Sequence, residues 1–289
     1  MLHGNNKPST SVACVVVYPD KNIVSYMGTK TEFNTLDEAK ASISDWAQNI
    51  EALQVPFTLS AEQLGLDQPG VSDLGGRVHS GFLEELSAVQ ASVVAELMAH
   101  GGKDQPLYVT GHSQGGGEAA LATRAFLAGG FAVAATYTFA APRSGDKVFA
   151  DSIPATLPLH RIEFGDDIVP HVPPTLISRK VRPVVIGLLK IPLLPEHVKD
   201  LLNFIQRATA TTAFVAVGRL CYGNNERKTL RVDMSIEDEE ELFNSRLVGL
   251  VMNPKHWAEH HHLAGTSDEV ERGEKGNYTA LVSQFMLVS

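Results

Sequence analysis

"LYVTGHSQGGGEAAL", residues 107–121, sets Ser113 among glycines where an apolar run gives way to an alanine-rich stretch. The pentapeptide Gly111-His112-Ser113-Gln114-Gly115 fits G-x-S-x-G, a pattern that arises by chance in many chains and that a glycine-rich turn with an ordinary serine cap also satisfies. Its surroundings add more. "PLYVT" leads in as a strand and "GGEAALATRAFLA" leads out as a helix, which is the setting of a nucleophile elbow. In such a bend the serine takes a strained backbone conformation. Gly111 and Gly115 flank it because side chains there would collide with the neighbouring strand and helix, and the hydroxyl stands clear of the sheet. The backbone N–H of Gln114, at the positive end of the helix, then faces any oxyanion forming at Ser113.

Short β-branched runs alternate with helical patterns around this bend, the signature of strands joined by helical crossovers in a mainly parallel sheet. The strands are expected at Val12 to Tyr18, Ile23 to Met27, Leu107 to Thr110, Ala132 to Phe139 and Leu159 to Phe164. Helices are expected at Phe82 to His100, where Phe82, Leu86, Val89, Val93 and Leu97 repeat at helical spacing, at about Gly116 to Leu127, and at Leu36 to Ile50. After "VPHVPP", residues 169–174, the rhythm changes. Residues 175–218 form an apolar, proline-containing insertion in which Val198, Leu201, Leu202 and Ile205 share one helical face. "SIEDEEEL", residues 235–242, reads as a Ser-capped helix start with acids at the positive dipole end, in preference to a cation site. The expected architecture is a single α/β domain over residues 1–289.

Composition bounds the function. A formal charge of −9 repels phosphate backbones, and no basic stripe offsets it, which argues against nucleic acid as a partner. Two cysteines, Cys14 and Cys221, supply neither a disulfide framework nor a cysteine metal cluster. The start, "MLHGNNKPST", lacks the pattern of a secretory signal, so the chain is expected either not to be exported this way or to have lost its signal. Val181 to Leu194, the most apolar later region, is broken by Arg182, Pro183, Lys190 and Pro192 and falls short of the ~20 apolar residues of a bilayer span. The protein is therefore not expected to be an integral membrane protein.

A serine hydroxyl is a poor nucleophile near neutral pH. A histidine must take its proton, and an acid must hold that histidine in the right tautomer. This fold orders them Ser, acid, His. "RIEFGDDIVPHVPP" begins with a strand and sets Asp166 and Asp167 just past its end, where loops of a parallel sheet reach the active-site edge. Asp167 is the first candidate for the acid and Asp166 the second.

Five ordered blocks, "SYMGTK", "VHSGF", "VTGHSQGG", "TFAAPRSGD" and "GDDIVPHVPP", resemble the class 3 lipases, the fungal-type triacylglycerol lipase family that also contains feruloyl esterases. They run from Ser25 to Pro174, roughly half the chain. The resemblance implies an α/β-hydrolase fold with helices on both faces of the sheet and a helical lid, here expected at residues 31–46. It also implies ester hydrolysis by a Ser-His-Asp triad without metal or organic cofactor, with Ser113 as nucleophile and Asp167 as acid. Gly28-Thr29 resembles the family's second oxyanion element, giving Thr29 a role beside Gln114. Three positions depart from the family: Met27 where arginine is common, Gln114 where leucine is usual, and Ala140 where glycine is frequent.

Family members carry the histidine near the C-terminus, and "NPKHWAEHHHLAG" offers His256, His260, His261 and His262. Leu263 sets the family register so that His261 takes the catalytic place, with His262 and His260 next in order. The cluster also raises a zinc site, but consecutive side chains do not converge easily on one ion and no nearby cysteine completes a set. His79, His112 and His171 read as loop-positioning residues and His160 as a core or edge histidine. The implied substrate is a triacylglycerol, met at a lipid–water interface. A short-chain or aryl esterase is the alternative, and a hydrolase-fold binding protein without turnover is a third reading, disfavoured because all three triad residue types are present.

Overall fold

The computed structural model describes residues 2–3, 12–28, 54–173, 181–208, 214–224, 229–232, 234–252, 260–261 and 278. Thr29, the expected lid at residues 31–46, the expected helix from Leu36 to Ile50, His256 and His262 lie outside them. The chain divides into two compact units, one of Met1–Lys30, Ala52–Arg161 and Val215–Arg219, the other of Thr31–Glu51, Ile162–Phe214 and Leu220–Ser289.

In chain order the first unit contains β1 (Leu2–His3), β2 (Val12–Val17), β3 (Asn22–Tyr26), β4 (Gln54–Ser60), α1 (Ala61–Leu64), β5 (Val71–His79), α2 (Ser80–Ala99), β6 (Leu107–His112), α3 (Gln114–Ala128), β7 (Val133–Phe139) and α4 (Lys147–Asp151). Its main sheet runs β1-β2-β3-β6-β7. The β2/β3 pair is antiparallel, while β3/β6 and β6/β7 are parallel and bring Val24, Val109 and Thr136 into line. Along β6, Leu107, Val109 and Gly111 are buried and their neighbours are less so, the two-residue alternation of a strand with one inward face. Helix α3 packs on β6 and β7. Strand β8 (Leu159–Phe164) crosses the division between Arg161 and Ile162.

The apolar stripe of α2 is the one its spacing predicts, with Phe82, Leu86, Val89, Val93 and Leu97 all buried. The helix starts two residues before the predicted Phe82 because His79 caps it: the Phe82 N–H donates to His79 Nδ1 at 3.3 Å, and the two rings stack at 4.0 Å. Gln90 breaks the stripe; its Oε1 accepts the buried Tyr26 hydroxyl at 2.7 Å. The antiparallel β4/β5 ribbon was not foreseen. Pro56 demotes the first strand and the register shifts between Pro56 and Thr58, while Gly75 and Gly76 sit at φ +83° and +79° within the second.

In the second unit, the remainder of β8 leads into a single helical turn at Val169–His171, then α5 (Val181–Leu188), α6 (Glu196–Ala208), most of β9 (Arg219–Asn224), β10 (Thr229–Val232) and α7 (Ile236–Met252). The insertion thus holds two helices. Val198, Leu202 and Ile205 of α6 form the predicted stripe, buried with Val181, Val185 and Leu188 of α5 and Phe243, Leu247 and Leu250 of α7. Each such side chain stabilises by about 1.5–3 kcal/mol on burial. Helix α7 starts as predicted: Ser235 Oγ accepts the Asp238 N–H at 3.1 Å, and Asp238 Oδ2 accepts the Ser235 N–H at 3.2 Å.

Burial of His79 lowers its pKa from 6.5 to about 4. The unfolded chain therefore binds a proton between those values that the folded chain refuses. The associated stability is complete above about pH 6.5 and is lost as pH falls toward 4, by roughly 3 kcal/mol in total. In His79→Asn, whose Oδ1 can accept the same Phe82 N–H, thermal melting should depend less steeply on pH across this window. An unchanged slope would rule out His79 as its source.

Candidate active site

Ser113 lies at the junction of β6 and α3 with φ +55° and ψ −128°, outside the regions ordinary side chains favour. Its N–H donates to Phe139 O at 2.9 Å, and its carbonyl accepts the Gly116 N–H at 2.9 Å. These bonds tie the bend to β7 and to the first turn of α3. The flanking glycines are steric requirements. A Cβ at Gly111 would overlap the Gly115 carbonyl, one at Gly115 would overlap Tyr26 O, and one at Gly28 would lie 2.6 Å from His112 O and 3.3 Å from Ser113 Cβ. The end of β3 thus presses directly on the bend.

Gln114 opens α3, so its N–H lies at the positive end of the helix dipole. Its side chain turns along the helix, Nε2 donating to Glu118 Oε1 at 3.2 Å. Ala140, noted above as replacing a frequent glycine, has φ +49°. That conformation favours glycine and costs a side chain roughly 1–2 kcal/mol.

Asp167 is fully buried just beyond β8. Its Oδ1 accepts the Val169 N–H at 3.0 Å, and its Oδ2 faces His261 Nδ1 at 3.0 Å and accepts the Tyr278 hydroxyl at 3.3 Å. An ionised carboxylate only accepts, so His261 Nδ1 carries the proton and its Nε2 is basic, the tautomer a general base needs. Burial, and then the Asp167 charge, hold the Tyr278 pKa well above 10, which keeps the hydroxyl a donor.

Beneath this pair is a buried ion pair. Arg246 of α7 donates through its guanidinium to Glu163 Oε2 at 2.7 Å and from Nε to Gly165 O at 3.0 Å, and lies 5.4 Å over the Tyr222 ring. Burial works against the Arg246 charge, but Glu163, Tyr222 and Asp167 outweigh it and raise its pKa.

Of the sequence-derived candidates, Asp167 and His261 meet within the second unit, and Ser113 and Gln114 occupy the bend of the first. Asp166, the second acid candidate, offers its backbone N–H to His260 Nδ1 at 2.8 Å. His171, expected to position its loop, stacks on Phe243 at 4.7 Å, and His160, expected to be a core or edge histidine, stacks on Tyr137 at 5.2 Å. Sequence reasoning missed Glu163, Arg246, Tyr278 and the bond made by His260. One signal was present: Arg246 in "LFNSRLVGLV" is a lone cation in an apolar helical stretch, and such a cation needs a buried partner.

The strained serine bend between a parallel strand and a helix is that of the α/β-hydrolase fold. The chain belongs to the class 3 lipase family, whose model, "Lipase (class 3)", matches residues 23–177. A lipase of Rhizomucor miehei is 29% identical over 167 residues, covering 55% of this chain and 42% of that protein. Secreted mono- and diacylglycerol lipase 1 of Fusarium solani is 38% identical over 108 residues, covering 36% and 32%. The native Rhizomucor miehei lipase–propeptide complex aligns with a TM-score of 0.52 at 21% identity, over 85% of this chain and 63% of that one. The chain spans less than half the length of the two relatives matched by sequence. No helix among the described residues is long and apolar enough to cross a membrane.

Removing one member of the buried ion pair strands the other. Arg246→Met is expected to cost about 3–5 kcal/mol in urea denaturation, and adding Glu163→Met should return much of it. Simple additivity of the two changes would mean that the pair is not coupled.

Proposed function

We propose that the protein is a serine carboxylic ester hydrolase acting on acylglycerols, with Ser113 as nucleophile, His261 as base and Asp167 as the acid that orients it. The observation that carries this reading is the 3.0 Å bond between His261 Nδ1 and the buried Asp167, in a chain whose left-handed Ser113 heads a helix. Family membership supports it. So do the relatives' names, which describe lipases and a mono- and diacylglycerol lipase.

In this reaction Ser113 Oγ attacks the ester carbonyl while His261 Nε2 takes its proton. The imidazolium, stabilised by Asp167, then protonates the leaving alcohol, and water repeats the sequence to release the acid. The backbone N–H of Gln114 and the backbone and hydroxyl of Thr29 hold the oxyanion. A donor fixed before the reaction stabilises this charge without reorganising, which is why the one at position 114 is assigned to backbone. We further propose that residues 31–46 act as the lid and that residues 1–289 work as one hydrolase domain.

A serine-directed phosphonate should label Ser113, as read by peptide mass spectrometry, and Ser113→Ala should remove turnover by about a millionfold. Asp167→Asn should cost about ten-thousandfold through the wrong histidine tautomer. A folded sample unlabelled at Ser113 would end the proposal. Substrates of graded chain length, assayed below and above their solubility limits, test the acylglycerol assignment. Rates that rise on emulsified long-chain acylglycerols support it, and turnover confined to soluble short-chain or aryl esters replaces it with a narrower esterase.

A further inference from the structure

We infer that His260 is a positioning residue: its ring grips the backbone of the acid loop and so sets the register in which His261, the next residue, meets Asp167. The kinetic consequence rests on the hydrolase reading above; the geometry does not.

Consecutive residues of the loop are held one after another. Gly165 O accepts from Arg246 Nε at 3.0 Å, the Asp166 N–H donates to His260 Nδ1 at 2.8 Å, and Asp167 Oδ2 pairs with His261 Nδ1 at 3.0 Å. Both histidines are helical and buried. Adjacent helical residues project about 100° apart, so their two bonds reach the loop from different directions. A single bond would let the His261 backbone pivot about Asp167; the second prevents this. Gly165 makes room for the arrangement. It takes φ +48°, and a Cβ there would lie 2.7 Å from His260 Cε1 and overlap the ring. Phe164 closes the other side, with its ring edge-on to His260 at 5.2 Å and 86°.

The chemistry of the two rings is opposite. His260 Nδ1 faces an N–H and must present a lone pair, so His260 is the Nε2–H tautomer. His261 Nδ1 faces a carboxylate and must present a proton. An apolar ring at position 260 could fill the space against Phe164 and Gly165, but it could not accept the Asp166 N–H, so this partly buried bond would be lost. This separates a positioning role from simple packing.

The test compares His260→Phe with His260→Asn, since Asn Oδ1 sits on Cγ as Nδ1 does in histidine. In the full chain, His260→Phe should lower kcat by about a hundredfold with little change in KM, the effect of an ångström-scale misplacement. His260→Asn should restore most of the loss. In parallel, the strongly downfield proton resonance of the His261–Asp167 bond should disappear or shift in the Phe variant and persist in the Asn variant, with circular dichroism reporting that both fold. Equal loss in both variants, or an unperturbed resonance and rate in His260→Phe, would overturn the inference. Absence of phosphonate labelling at Ser113 would defeat the hydrolase reading instead and leave the resonance test standing.

Discussion

The chain must change from strand to helix within one residue at Ser113, and the space for that change is very small. Gly111, Gly115 and Gly28 are each pressed against backbone, so no side chain fits at any of them. This constraint determines much of what surrounds it. It brings β3 against the bend, makes Gln114 the first residue of α3, and keeps Ser113 in a conformation that serine would not adopt alone. The cost of that conformation is met by the sheet bonds of β6 and β7 and by the packing of α3 over them.

In the second unit the difficulty is electrostatic. A carboxylate removed from water must be compensated by donors, and Asp167 faces three: a backbone N–H, an imidazole and a phenol. Arg246 adds a positive charge nearby while neutralising Glu163. Buried charge is therefore balanced within one small region, and its hydrogen bonds leave little freedom in the loop that bears Asp167. An imidazole fixed in one orientation against a carboxylate is a geometric product of this charge balance.

Much of this was legible in the sequence because it depended on local pattern. The bend at Ser113, the stripe of α2, the Ser235 cap and the α6 face all follow from spacing of a few residues. The blocks from Ser25 to Pro174 agree with the family match over residues 23–177. The β4/β5 ribbon was not legible, because Pro56 and the Gly75-Gly76 pair mimic turn signals inside strands. Partnerships distant along the chain were also hidden: Glu163 with Arg246, Asp167 with Tyr278, Asp166 with His260. The family register set by Leu263 singled out His261 in the run of three histidines, but nothing in the sequence pointed to the bond that His260 makes. The division of labour between His260 and His261 is set by the alternation of backbone and carboxylate in the loop they face.

The Arg246–Glu163 pair also differs from the surface pairs of the same chain. Lys147–Asp151 and Lys199–Glu196 are exposed, and dissolved salt partly screens such surface attractions, with a Debye length of about 8 Å at physiological ionic strength. Arg246 and Glu163 have essentially no contact with solvent, so mobile ions cannot come between them. The loop that carries Asp167 should therefore be held as firmly in brine as in dilute buffer, a form of halotolerance confined to the interior.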